Sequence, residues 1–247
     1  MQDDTTFLDL GIPFPLFDAP VRLASSYVGK ERCDLCENEN RHSFRPGIGD
    51  IVIASCGACS EPMAFDAHEP GPSICSSCNT EASFPVNKSG DIHVCYECLR
   101  DGRVAFTQDT EFGMVRYEDA VRGLTHGVPG LSVSGYETIL NEDGWSQVKV
   151  GSNVLLELVR TPGFVTWQGE RWLFCCSDLM TYVGEWQQAD FSRQAKDGSG
   201  QVLFTQLCSG EDWTGWTWDS LGNDFPGVIY AFRCRTCETH RVYWDCD

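Results

Sequence analysis

The chain has 247 residues, 42% of them hydrophobic, and its 8 Trp, 7 Tyr and 14 Phe are enough for a packed core, which excludes a disordered composition. Its 36 acidic residues outnumber 18 basic ones, giving a formal net charge of −18. A surface this acidic repels a phosphate backbone and disfavours nucleic-acid binding; it suits solubility, or a basic protein partner reached by electrostatic steering.

The first residues, Met1-Gln2-Asp3-Asp4-Thr5-Thr6, lack the basic and apolar regions of a secretory leader. No apolar run approaches a membrane span. The expectation is a cytoplasmic protein without membrane contact, whose thiols stay reduced and free for metal. Residues 1–30 are rich in Pro and aromatics, as in Phe14-Pro15-Leu16-Phe17-Asp18-Ala19-Pro20. The prolines forbid a regular helix or central strand, so an extended arm packed on the body is expected.

Residues 31–100 carry four Cys-x-x-Cys pairs: Cys33/Cys36, Cys56/Cys59, Cys75/Cys78 and Cys95/Cys98. Zinc takes four ligands in structural sites, and two such turns supply them. Cys56 to Cys78 reads C-x2-C-x15-C-x2-C, the spacing of a zinc ribbon. Short strands at Ile51–Ala54, Phe84–Val86 and Ile92–Val94 are expected to carry these turns.

Residues 109–124 look partly helical, with Asp119 placed to pair with Arg122. Residues 130–150 read as a turn-rich connection with Asn141–Gly144 at its tip. Ser152 is a good N-cap for a helix whose apolar stripe is Val154, Leu155, Leu158 and Val159. Glu157 is placed to pair with Arg160, and Pro162-Gly163 ends the helix. The aromatic stretch Trp167–Cys176 is expected to be buried. A short amphipathic helix over Trp186–Ala195 would turn Trp186, Ala189 and Phe191 inward, and Trp213, Trp216 and Trp218 form an aromatic cluster after it. The C-terminus reads as a strand over Val228–Phe232, a fifth pair at Cys234/Cys237, and a strand over Arg241–Trp244. That is a hairpin closed by metal.

Three stretches resemble the CbrC family, bacterial proteins linked by name to colicin tolerance. They are Val94–Gly102, with Cys95 and Cys98; Arg160-Thr161-Pro162-Gly163-Phe164 with Trp167–Trp172, Cys176 and Asp178; and Phe232–Cys237 with Tyr243–Asp247. On that resemblance Cys33/Cys36 corresponds to the family's first pair, and the Cys56/Cys59/Cys75/Cys78 ribbon is an insertion. The resemblance implies a small acidic cytosolic protein with zinc-binding Cys pairs and no established enzymatic activity.

A self-contained ribbon makes Cys56, Cys59, Cys75 and Cys78 one site, and leaves Cys33, Cys36, Cys95 and Cys98 to form the second. A cross-brace joining Cys33/Cys36 to Cys75/Cys78 and Cys56/Cys59 to Cys95/Cys98 is the alternative. A third site would join Cys234 and Cys237 to Cys176, with Cys175, His240 and Cys246 competing for the fourth place. Against it, Cys175, Cys176 and Cys208 read equally as small buried apolar residues.

Closed four-cysteine sites leave no position for an activated water, and no His-Glu-x-x-His is present. Redox use of Cys56-Gly57-Ala58-Cys59 is disfavoured by Pro62 and the spacing to Cys75. Acidic pairs such as Glu211-Asp212 and Asp219/Asp224 are expected by chance on so acidic a chain. The sequence thus predicts an α+β protein: an N-terminal arm and Cys-rich region over 1–108, with the inserted ribbon at about 50–90, then an α+β CbrC-like domain over 109–247 ending in a zinc-knuckle hairpin. The expected function is non-enzymatic: a Zn2+-stabilised acidic binding protein docking a basic protein, such as a nuclease toxin, in tolerance or immunity. One rival is an enzyme with a site around Arg160, Trp167, Arg171, Cys176 and Asp178. Another is a nucleic-acid-binding ribbon, for which only Lys88 stands nearby. The sequence does not speak to oligomeric state.

Overall fold

The computed structural model describes residues 4–86, 90–196, 198–209, 213, 215–222 and 227–246. Lys88, Glu211, Asp212, Asp224 and Asp247, named above, lie outside the described residues.

The fold is mixed α+β, with short helices among small antiparallel sheets. The first part runs β1 (Tyr27–Glu31), β2 (Arg41–Phe44), β3 (Ile51–Ser55), β4 (Pro62–Asp66), β5 (Ser73–Ile74), β6 (Glu81–Ala82), β7 (Val94–Cys95), α1 (Tyr96–Arg100) and β8 (Val104–Ala105). Next come β9 (Gln108–Thr110), β10 (Gly113–Val115), α2 (Tyr117–Arg122), β11 (Glu137–Leu140), β12 (Ser146–Lys149) and α3 (Ser152–Leu158). The chain ends with β13 (Phe174–Cys175), β14 (Asp178–Leu179), β15 (Thr181–Glu185), α4 (Gln188–Gln194), α5 (Gly200–Leu207), β16 (Gly227–Arg233) and β17 (His240–Cys246). The three-stranded sheets are ordered β1-β2-β7, β4-β3-β8 and β15-β16-β17.

One large core draws on the whole length of the chain. Phe7, Leu16 and Phe17 of the arm pack with Phe44, Leu99, Leu155, Leu158, Phe164, Trp172, Tyr182 and Phe232. The arm is therefore part of the interior: Phe17 bridges to Tyr182, and the Thr181 hydroxyl donates to the Pro15 carbonyl at 2.9 Å. With seven residues, α3 is too short to persist alone; the burial of Leu155 and Leu158, each contributing about 2 kcal/mol, holds it.

Strand β16 shows how period-two alternation serves two interiors. Tyr230 and Phe232 face the large core, whereas Ile229 and Ala231 belong to a second core with Trp186, Phe191, Phe204 and Trp216. Both faces are covered, so the strand reads as a continuous apolar run.

Several local expectations need correction. Residues 108–115 form the β9–β10 hairpin, and helix is confined to α2. Gly113, the first residue of β10 after the Glu111-Phe112 turn, has φ +101°, and a Cβ there would sit 2.7 Å from the Gly127 carbonyl oxygen. Asp119 accepts from the Arg116 backbone N–H, capping α2. Gly151 is the N-cap of α3, and Ser152 is its first residue. Glu157 pairs with Arg100 through two contacts of 2.7 and 2.8 Å. Arg160 lies in the turn after α3, where its backbone N–H donates to the Glu157 carbonyl, and its guanidinium packs against Gly102. Trp172 is fully buried, but Trp167 is 57% exposed. Ala189 is exposed, and helix α4 begins at Gln188. No strand forms at Phe84–Val86; the hairpin that follows Cys75 and Cys78 uses Glu81–Ala82 instead. Helix α5, which the sequence reading missed, completes the second core through Phe204.

Candidate metal centres

Four of the five Cys-x-x-Cys pairs sit in the same backbone turn. The first Cys N–H donates to the carbonyl five residues on: Cys33 to Asn38, Cys56 to Glu61, Cys75 to Thr80 and Cys234 to Thr239. The residue after the second Cys returns a hydrogen bond to the first Cys carbonyl and adopts positive φ: Glu37 (61°), Ser60 (66°), Asn79 (59°) and Glu238 (58°). Residues other than glycine resist this conformation, so the turn is held by its hydrogen bonds and by what its thiols do. Cys95 and Cys98 differ. They lie where β7 runs into α1, with Cys95 at the N-cap.

The turns meet as three tetrads: Cys33/Cys36/Cys95/Cys98, Cys56/Cys59/Cys75/Cys78 and Cys175/Cys176/Cys234/Cys237. Within each, all four sulfurs lie within 4.8 Å of one another. In the first, Cys33 and Cys98 are 3.8 Å apart and Cys36 and Cys95 3.7 Å. In the second, Cys56–Cys78 and Cys59–Cys75 are both 3.6 Å. In the third, Cys175–Cys176 is 3.9 Å and Cys175–Cys237 3.7 Å. A disulfide needs about 2.05 Å. Four thiolates around one ion at about 2.3 Å stand about 3.8 Å apart on a tetrahedron, so this geometry fits a metal. Each tetrad could hold an ion.

The surroundings favour thiolate at one sulfur of each tetrad, Cys33, Cys78 and Cys237, whereas Cys59, Cys95 and Cys175 are pushed up to about 12 and Cys98 and Cys176 are raised as well. The Cys95 N–H donates to Cys33 Sγ at 3.3 Å, and Arg103 approaches Cys98 Sγ at 3.4 Å while donating to the Leu35 carbonyl. A guanidinium there offsets the surplus negative charge of four thiolates on a divalent ion. The hydrogen bond with Cys98 pulls the Cys33 thiol down to about 4. The Thr80 hydroxyl beside Cys78 and the Thr239 hydroxyl beside Cys237 hold both thiols near 6. These threonines share a C-x-x-C-x-Thr pattern, visible in the sequence at Cys75 and Cys234 and overlooked there. Arg103 stands five residues after Cys98, within local reach of it, and only its bond to the Leu35 carbonyl depends on the fold.

The structure therefore gathers Cys33/Cys36 with Cys95/Cys98 and keeps the Cys56–Cys78 segment to itself, instead of the cross-brace. It brings Cys176 to Cys234/Cys237 and adds Cys175 as the fourth sulfur. His240 and Cys246 lie outside that tetrad. The alternative enzymatic residues occupy three places: Arg160 at Gly102, Arg171 over the Tyr243 ring with Trp167 beside Asp245, and Cys176 with Asp178 at the third tetrad.

Away from the thiols, Asp50, Asp109 and Glu170 line a cleft of about 450 Å3. Burial raises all three carboxyls, Asp50 to about 6 and Glu170 to about 8. Glu170 as a residue is half-buried, but its carboxylate end is enclosed. A Cβ on Gly163 would meet Glu170 Oε2 at 2.5 Å, so Gly163 makes room for it.

An α+β chain organised around cysteine tetrads is the class these features define. Residues 56–246 match the uncharacterised protein family UPF0167, and the chain belongs to that family. The match starts at Cys56, leaving out Cys33 and Cys36 and including the segment read as an insertion. A UPF0167 protein of Pseudomonas aeruginosa is 29% identical over 124 residues, 48% of this chain and 65% of that protein. UPF0167 proteins of Mycobacterium bovis and Mycobacterium tuberculosis are each 25% identical over 210 residues, 83% of this chain and 90% of theirs. The chain thus spans just under two thirds of the Pseudomonas relative. No solved structure matches. Among the described residues no helix is long and apolar enough to cross a membrane.

Proposed function

We propose that the tetrads hold Zn2+ and that the protein is a non-enzymatic, cytoplasmic binding protein whose acidic surface docks a basic protein. On this reading β3–β6 is a zinc ribbon, and residues 1–108 supply a Cys-rich region and residues 109–247 an α+β region that share one large core. Zn2+ suits four-thiolate tetrahedral sites, and a closed site offers no position for activated water. The CbrC resemblance makes toxin tolerance or immunity the setting, with a basic nuclease toxin as the partner class.

The observation that carries this reading is the imbalance of charge. Against a net charge of −18, Arg32, Arg41, Arg45, Arg100, Lys149, Arg193, Arg233, Arg235 and Arg241 are all already paired with acidic side chains. What remains for a partner is acidic, and it suits a basic protein far better than a nucleic acid.

The test is affinity capture from the native host at low and raised ionic strength, with the bound proteins identified by mass. A basic protein lost at raised salt is the expected result. Capture of nucleic acid, or of partners indifferent to salt, would overturn the reading.

A further inference from the structure

We propose that the third tetrad is an exchange site for a soft, thiophilic cation, built to load and release its ion without unfolding the protein. This deepens the metal reading above and rests on it.

The first tetrad is buried against the large core, and the second is made from segments with little else to hold them together. The ribbon has a core of its own containing only Met63 and Phe65 besides Cys56 and Cys75, with Phe84 against it. At the third tetrad the scaffold stands independently. Cys175 lies on β13, which pairs with β14, and their residues Phe174 and Leu179 are in the large core. Cys234 and Cys237 follow β16, whose Phe232 is in the same core. Arg235 then clamps Asp178 through contacts of 2.8 and 2.7 Å, tying the two hairpins together across the tetrad. The sulfurs are thus gathered by packing and an ion pair. Loss of the ion leaves this framework intact.

The sulfurs are also accessible. Cys176 and Cys237 are exposed and Cys175 is half-buried; in the first tetrad Cys33, Cys95 and Cys98 are all buried. A cleft of about 700 Å3, lined by Leu203, Leu207, Cys237 and His240, opens onto the site. A chelating molecule or another protein's thiolate can therefore reach the ion and take over its ligands one at a time.

The vicinal pair forms the opening edge. Cys176 (φ 53°) and Ser177 (φ 59°) are the two central residues of the β13–β14 turn, positions that favour Asn-Gly. Placing a Cys and a Ser there strains the backbone, and strain of this kind concentrates at functional sites. It sets two adjacent sulfurs 3.9 Å apart on the solvent side, with Cys234 buried behind them. Four thiolates select soft or borderline ions, the class of Zn2+, Cd2+ and Cu(I).

The experiment uses the full chain reconstituted with Zn2+. A chromogenic chelator is added, samples are quenched with iodoacetamide over time, and alkylated cysteines are mapped by mass. One of three zinc equivalents should leave at least about tenfold faster than the others, through local rather than global opening. Cys175, Cys176 and Cys237 should become alkylated in that phase, with Cys33, Cys56, Cys75, Cys95 and Cys98 still protected. C176S should abolish the fast phase with the far-UV spectrum unchanged, and Cd2+ added after the fast phase should refill one equivalent. Release of all ions in one phase, fast-phase alkylation at the first or second tetrad, or failure to take up Cd2+ would overturn the proposal. Fewer than two bound ions in total would instead sink the metal reading beneath it.

Discussion

The first and second tetrads have the same donor set and nearly the same sulfur spacing, yet they sit in opposite settings. Cys33, Cys95 and Cys98 are buried beside Val94 and Leu99 of the large core, and α1 grows directly out of the site. Cys56, Cys59, Cys75 and Cys78 sit at the end of a hairpin whose root, at Val52 and Val104, belongs to the large core and whose tip has almost no apolar support. An ion held by either would meet the same four-sulfur chemistry; what its loss would destroy is set by how much of the remaining structure depends on the cluster.

The strongest way to break this comparison is to remove one ligand from each. C98S should leave thiolates stranded in the core and lower global stability by more than about 4 kcal/mol, read by denaturant titration or by loss of soluble protein. A variant that melts within a few degrees of the native chain would contradict the embedded role. C56S should instead abolish hydrogen-exchange protection across residues 51–82 and leave the main thermal transition nearly in place. If the whole chain melts together, the Cys56–Cys78 segment is not a separable unit.

A smaller effect sharpens how the first tetrad is tied to the rest. Arg100, on the helix that carries Cys98, forms a bidentate pair with Glu157 of α3, and both side chains are mostly buried. E157A should cost about 2 kcal/mol, with a coupling to R100A visible in a double-mutant cycle. Simple additivity of the two variants would show that the pair does not link the halves.

The smallest effect concerns the residue that precedes β3. Asp50 accepts from the Gly47 and Thr107 backbone N–H groups, both at 2.7 Å, and shares a cleft with Glu170 and Asp109. Glu170 is raised to about 8 from 4.5 by burial, so the folded state holds this proton more tightly than the unfolded chain does. The resulting stability is complete below about pH 4.5 and is lost as the pH rises through 8; Asp50 acts in the same direction through about 6. E170Q should flatten the upper part of that decline and stabilise the protein at pH 8 by about 1 kcal/mol, after allowance for the residue's partial exposure. A pH profile of the melting temperature identical to the native one would remove Glu170 from this account.

By itself the sequence determined the local pieces. Cys-x-x-Cys spacing closes a turn through hydrogen bonds only a few residues apart, and the alternation around Cys234 and Cys237 specifies a hairpin. Pattern within a dozen residues suffices there, because both partners of each contact lie inside the window. Tertiary structure decided which turns share a tetrad, since Cys33 and Cys98 are brought together across 65 residues by a core that no local pattern describes. It also turned Glu157 away from Arg160 toward Arg100, brought Arg103 to the Leu35 carbonyl, and made Cys175 the fourth sulfur beside Cys176. The arm shows the same division: its prolines fixed an irregular path, and only packing could bury Phe7 and Leu16 completely. Spacing along a chain limits what neighbours can do, but the meeting of distant segments depends on the apolar surface they bury together.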